Sequence, residues 1–237
     1  MAPAIQERRC APPGEVAAAI AQASRRFRAA PLTWRWFAFC KYRLDPCYRE
    51  LARRIPEGAR VVDLGTGLAM LAIVLAVLPG RRRVVGVDWD LRKLAAGRAA
   101  VDGLPGVWLA LGDARNFALP AACDAIAVVD MLHYYEVEDQ RRILARCAAA
   151  LAPGGQLLVR ESDAARKGPA WWTRAVEALS VRAGWNRGQR RTFFRRASEL
   201  RADLEGLGLK VSVARLSGPI HPGNVLLCAR RCAGAGS

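Results

Sequence analysis

The chain has 237 residues, 52% of them hydrophobic, and carries a formal net charge of +16. The longest apolar run, residues 68–78, is too short to cross a bilayer, and the charged start MAPAIQERRC does not read as a secretory signal. The seven cysteines form no C-x-x-C pair, so they read as reduced thiols of a cytoplasmic protein and exclude a zinc set built from paired thiolates.

Residues 1–55 read as an N-terminal helical cap with an aromatic cluster, WRWFAFCKYRLDPCY. From residue 56 onward strand-like and helix-like patterns alternate. Arg60–Leu64 is a short β-branched strand, and Leu68–Leu78 a buried helix stopped by Pro79-Gly80. Arg83–Val87 is a second strand, followed by a helix from about Leu91 to Val101. Val107–Leu111 and Ala125–Val129 are the third and fourth strands. Glu138–Leu151 is an amphipathic helix with Ile143, Leu144 and Cys147 on one face, and Gln156–Arg160 is a fifth strand. Residues from about 163 to 196 read as an interrupted helical insertion outside this pattern. Leu209–Leu216 and Val225–Arg230 are strands with no room for a helix between them, hence an antiparallel hairpin. The pattern predicts an α/β fold, a mostly parallel sheet covered by helices on both faces and closed by that hairpin.

The segment VVDLGTGLAML raises the question of what its glycine turn holds. A glycine turn between strand and helix exposes backbone amides to a ligand. The dinucleotide fingerprint needs a third glycine, and Met70 stands in its place; no G-K-[ST] of a P-loop follows. Asp63 precedes the turn instead, where it would repel a phosphate and suit an ammonium-bearing ligand. Asp88 ends the next strand, 21 residues beyond Gly67, in the usual place for an acid that accepts ribose hydroxyls. Asp113 ends the third strand, where it can receive the amino group of a base. Three acids at successive strand ends describe a site for a phosphate-free, positively charged adenosine. Asp90 reads as the cap of the following helix.

Five stretches, VVDLGTG, VVGVDWD, LGDARNFALP, CDAIAVVDMLHYYE and LAPGGQLLVRESD, occur in an order and spacing that resemble the class I S-adenosylmethionine-dependent methyltransferases. The resemblance covers roughly residues 55–162 and implies a Rossmann-like, seven-stranded sheet with its last strand inserted antiparallel. It implies S-adenosyl-L-methionine as cofactor. Gly65, Thr66 and Gly67, with Asp63, would line its methionine part, Asp88 and Trp89 the ribose side, and Asp113 with Ala114 the adenine. Asp130 would lie near the sulfonium. Ala69 departs from the family, which often has glycine there. His133, in the segment DMLHYYE, stands where small-molecule O-methyltransferases carry a general base; the same position is also a packing residue in other members. No metal site matches.

FCKYRLDPCY resembles, over a short stretch, methyltransferases of bacterial aryl-polyene and acyl pathways, which implies bacterial secondary metabolism. The expected reaction is methyl transfer at oxygen of a small or carrier-protein-bound aromatic or acyl substrate. Trp34, Trp36, Phe37, Phe39, Trp171, Trp172 and Trp185 would supply an apolar cover. Residues 61–160 carry 11 Lys/Arg against 10 Asp/Glu, whereas residues 1–60 carry 12 against 5 and residues 182–215 carry 9 against 3. Those basic flanks leave an RNA methyltransferase open as an alternative partner class, or an anionic membrane or acidic protein. A further alternative is a non-catalytic module that binds the cofactor alone.

Overall fold

The computed structural model describes residues 8–166, 191–219 and 222–232. Three helices come first: α1 (Pro13–Arg25), α2 (Leu32–Leu44) and α3 (Cys47–Arg54). Then follow β1 (Arg60–Leu64), α4 (Met70–Val77), β2 (Arg83–Asp88), α5 (Leu91–Val101), β3 (Val107–Leu111) and β4 (Cys123–Val129). A 3₁₀ turn, Leu132–Tyr134, leads to α6 (Val137–Ala150) and β5 (Leu151–Ser162); α7 (Ala197–Gly206), β6 (Lys210–Arg215) and β7 (Asn224–Arg230) complete the described chain.

The strands form one seven-stranded sheet in the order β3-β2-β1-β4-β5-β7-β6. β1 pairs in parallel with β2 on one side and β4 on the other, so Asp63 lies between Gly86 and Ala127. β7 runs antiparallel to both β5 and β6, which bears out the expected hairpin and the inserted last strand. Strand side chains alternate between two cores. Val61, Ala125, Ala127 and Leu158 pack with α1, α3 and α4, while Val62, Ile126, Val128 and Leu157 pack with α6 and α7. The helices do cover both faces.

Several element boundaries differ from the expected ones by a residue or more, and two of them have identifiable reasons. α4 starts at Met70 rather than Leu68, because Ala69 takes a left-handed backbone (φ 60°) and turns the chain into the helix. β5 starts at Leu151 rather than Gln156: Leu151 pairs with Cys123, and a register shift follows before Gln156 meets Ala125. Gly155 permits this, since a Cβ there would sit 2.8 Å from the carbonyl oxygens of Ala152 and Cys123. The expected helical insertion at about 163–196 falls mostly outside the described residues; residues 191–196 are irregular, not helical.

The sheet order reverses between β1 and β4, and the carboxyl ends of β1, β2, β3 and β4 therefore open onto one crevice. In open α/β sheets this switch point is where ligands bind.

Candidate functional site

The crevice is an open cleft of about 490 Å³, including the space at its mouth, floored by Gly65 and Gly67 and walled by Asp88, Trp89, Ala114 and Asp130. The glycine turn is shaped by two different demands. Gly65 has φ +79°, and a Cβ on it would meet Met131 Cγ at 2.8 Å. Gly67 has φ +55° and only the Lys93 side chain, 4.0 Å away, near the place of a Cβ. The turn is tied to β2, where the Val87 carbonyl accepts from the N–H groups of Gly65 at 2.8 Å and Thr66 at 2.9 Å.

Asp88 accepts two backbone N–H groups, from Gly67 at 2.7 Å on one oxygen and from Asp90 at 2.8 Å on the other. Each oxygen keeps further accepting capacity, and Asp88 lines the cleft. Asp90 caps α5 as expected, accepting from Arg92 N and Lys93 N. Lys93 also lines the cleft; burial lowers its ammonium pKa, against the opposing pull of Asp88.

Asp63 and Thr66 do not line the cleft. They lie beneath the turn, where the Thr66 hydroxyl donates to Asp63 at 2.6 Å. Burial pushes the Asp63 carboxyl up to about 7; Asp88 adds to this and the Thr66 hydrogen bond opposes it. Asp113 stands beside the cleft. Arg115 pairs with it at 2.6 Å and holds its carboxyl below the usual range, and the Tyr135 hydroxyl reaches it at 3.4 Å.

Asp130, at φ +50°, belongs to a ring of alternating charges. Arg160, fully buried, bonds Asp130 and both oxygens of Asp45 at 3.1 and 3.0 Å; Lys41 bridges the same two acids at 3.1 and 3.2 Å. The Asp45 carboxyl is held low, because Lys41 and Arg160 outweigh its burial. The ring joins α2 to the ends of β4 and β5.

His133 stands just beyond the rim; its neighbour Tyr134, not its own ring, lines the cleft. Its Nδ1 lies 2.7 Å from a Glu161 oxygen, and the other Glu161 oxygen accepts from Leu132 N at 2.7 Å. A carboxylate only accepts, so Nδ1 carries the hydrogen, and in the neutral form of the ring the lone pair is on Nε2. Phe194 stacks on the imidazole at 4.7 Å. Phe193 N donates to the His133 carbonyl at 2.7 Å, and Gln140 fastens Phe193 in turn.

Sequence reasoning missed Glu161, Arg160 and Lys93 as members of this region. The available signal was the pair Arg160-Glu161 inside an otherwise apolar strand, where charges persist only if paired. The aromatic cover is not assembled as expected. Trp34 and Phe37 pack against the core, Tyr42 donates to the Met70 carbonyl, and Trp36 and Phe39 face outward; Trp171, Trp172 and Trp185 lie outside the described residues. Arg195, counted with the basic flank, is buried and paired with Asp203 at 2.7 Å, so it offers no free cation to a partner.

A glycine turn whose Gly67 amide is already bound by a carboxylate, with further acids around it, is a poor cradle for a phosphate and suits a phosphate-free nucleoside with cationic character. Comparison with known proteins agrees. The family described as "Methyltransferase domain" matches residues 61–155. The chain is 34% identical over 159 residues to a trans-aconitate 2-methyltransferase of Variovorax paradoxus, covering 65% of this chain and 58% of that protein. It is 31% identical over 110 residues to a ubiquinone biosynthesis O-methyltransferase of Xanthomonas axonopodis pv. citri, covering 46% of this chain and 45% of that protein. The chain thus spans less than two thirds of the length of these curated relatives. An O-methyltransferase family protein from Burkholderia thailandensis has the same fold, with a TM-score of 0.64 and 21% identity over 90% of this chain and 63% of that one.

Proposed function

We propose that the chain is a class I S-adenosylmethionine-dependent methyltransferase, a reading supported by the methyltransferase-domain match over residues 61–155 and by the relatives above, and that it transfers a methyl group from S-adenosylmethionine to an oxygen of a small or carrier-bound aromatic or acyl substrate in the cytoplasm. The observation that carries the reading is the convergence of Gly65, Gly67, Asp88, Trp89 and Ala114 on one cleft at the switch point of the sheet.

The residues fit the cofactor. The crowding of Met131 on Gly65 leaves a bare backbone floor for the methionine part, with the Asp63 carboxyl beneath it as counter-charge to an ammonium. Asp88 keeps lone pairs for the ribose hydroxyls. Trp89, half exposed on the wall, offers an apolar face, and Ala114 lines the side assigned to the base, with Asp113 beside the cleft. When bound, the cofactor supplies an electrophilic methyl group taken by direct displacement, so the protein mainly has to align the acceptor and exclude water.

Oxygen as the acceptor atom draws on the pair of His133 and Glu161. Glu161 orients the imidazole and fixes its tautomer, leaving Nε2 to take a hydroxyl proton as the acceptor loses it. The name of one curated relative, a ubiquinone biosynthesis O-methyltransferase, points the same way. Release of S-adenosylhomocysteine on addition of hydroxylated aromatic or acyl acceptors tests the reading. Cofactor binding without release for any acceptor class would leave a non-catalytic module, and salt-sensitive release driven by RNA would favour the nucleic-acid alternative.

A further inference from the structure

Helix α2 is built inside out for a helix on a water-facing surface. Its inner side seats Ala38 and Tyr42 in the core, with Trp34 and Phe37 half buried beside them. Its outer side should then be polar. Instead it presents Leu32, Trp36 and Phe39, exposed by 77%, 60% and 49%. These occupy positions i, i+4 and i+7, so they form one stripe about two turns long. The Trp36 and Phe39 rings stack at 5.6 Å, which makes the stripe a single raised apolar ridge. Exposed Arg35 and Arg43 flank it, Arg28 precedes it, and the helix contains no acidic residue.

From this arrangement we infer that the outer face of α2 docks on an anionic membrane surface. A second copy of the chain is a poor occupant: a two-fold contact would set this arginine-bearing face, which has no acidic residue on the helix, against itself. A rigid protein partner would need a groove shaped to a convex ridge. A bilayer needs none, because lipid deforms around it. Leu32, Trp36 and Phe39 enter the boundary of headgroups and acyl chains, and the flanking arginines reach the lipid phosphates while their stems lie along the apolar side. The net charge of +16 adds long-range attraction to the same surface. The same helix carries Lys41, which bonds Asp130 at the cleft wall, so docking sets the cleft beside the bilayer. Delivery of an apolar acceptor from the lipid phase rests on the methyltransferase reading; the docking itself does not.

The test uses the full chain and vesicles of equal parts phosphatidylglycerol and phosphatidylcholine, with pure phosphatidylcholine as the comparison and neither cofactor nor acceptor present. The protein should sediment with the anionic vesicles and hardly at all with the neutral ones. Trp36→Ser with Phe39→Ser should weaken the apparent affinity at least about tenfold, since each ring is worth a substantial burial term. Leu32→Ser alone, at the most exposed position, should weaken it several-fold without any risk to folding. Arg35→Gln with Arg43→Gln should weaken it and flatten its salt dependence. Trp108→Ser, an equally exposed aromatic on β3, should leave it unchanged. No binding by the native protein, undiminished binding by the α2 variants, or an equal loss in Trp108→Ser overturns the inference. So does self-association that the α2 variants abolish in a protein that ignores vesicles, which would make the ridge a contact between copies.

Discussion

The Asp88 carboxylate accepts the backbone N–H of Gly67 at 2.7 Å. In a phosphate-binding turn that amide points at the ligand; here the protein's own acid holds it. The bond places a negative charge at the helix N-terminus and turns a potential anion site into one for a nucleoside that brings hydroxyls and positive charge.

Asp88→Ala should therefore weaken S-adenosylmethionine and S-adenosylhomocysteine alike. Loss of a charged acceptor costs about 1.5–3 kcal/mol, a tenfold or larger fall in affinity. Isothermal titration of both ligands reads this directly. Normal binding by the variant would remove Asp88 from the ribose side.

Asp63 gives the site a pH dependence near neutrality. Its folded-state pKa is raised to about 7, so the unliganded fold favours the protonated acid. The stability this contributes is present below the ordinary carboxylate value of 3.8 and is lost as pH rises through about 7. Binding of a cation works in the opposite sense. Affinity for S-adenosylmethionine should climb as pH rises through that range, with release of a proton, and Asp63→Asn should flatten the climb. A profile identical in both proteins would exclude Asp63 as the counter-charge.

For a hydroxyl acceptor, His133→Ala should lower turnover at least about a hundredfold, in line with the usual worth of general-base help, while cofactor affinity survives. The residual rate should rise with pH. Glu161→Gln should give a smaller loss of kcat, because the amide still reaches the ring but no longer stabilises its protonated form. A fall below about fivefold in His133→Ala would move the acceptor to carboxylate or carbon.

The two glycines of the turn should respond differently to alanine. Both pay the left-handed penalty of about 1–2 kcal/mol, but only at Gly65 does the new methyl overlap Met131, at 2.8 Å. Thermal melting should show Gly65→Ala clearly less stable than Gly67→Ala. Equal losses would mean that Met131 yields freely.

Arg160→Leu should destabilise the fold by about 3–5 kcal/mol, because it removes the fully buried cation between Asp45 and Asp130 and leaves Lys41 alone to offset two acids. Lys41→Met, which removes the more exposed cation of the ring, should cost less. Urea unfolding of the two variants orders them.

Much of this protein was legible without coordinates. Short β-branched strands, the Gly65-x-Gly67 turn and the Asp90 cap are local matters, decided by side-chain period and by which residues tolerate positive φ, so sequence sufficed for the strand order of events, the hairpin and the acids at the strand ends. Contacts between residues distant in the chain were not legible. Glu161 meets His133 across 28 residues, and Arg160 meets Asp45 across 115. The outward face of α2 was read as part of a pocket, and Arg195 as a free cation. Each of these depends on which surfaces the packed sheet and helices bring together. A charge or an aromatic ring carries no local mark of the partner that burial will give it; only the tertiary structure decides whether it ends paired in the core, on the wall of the cleft or exposed on the surface.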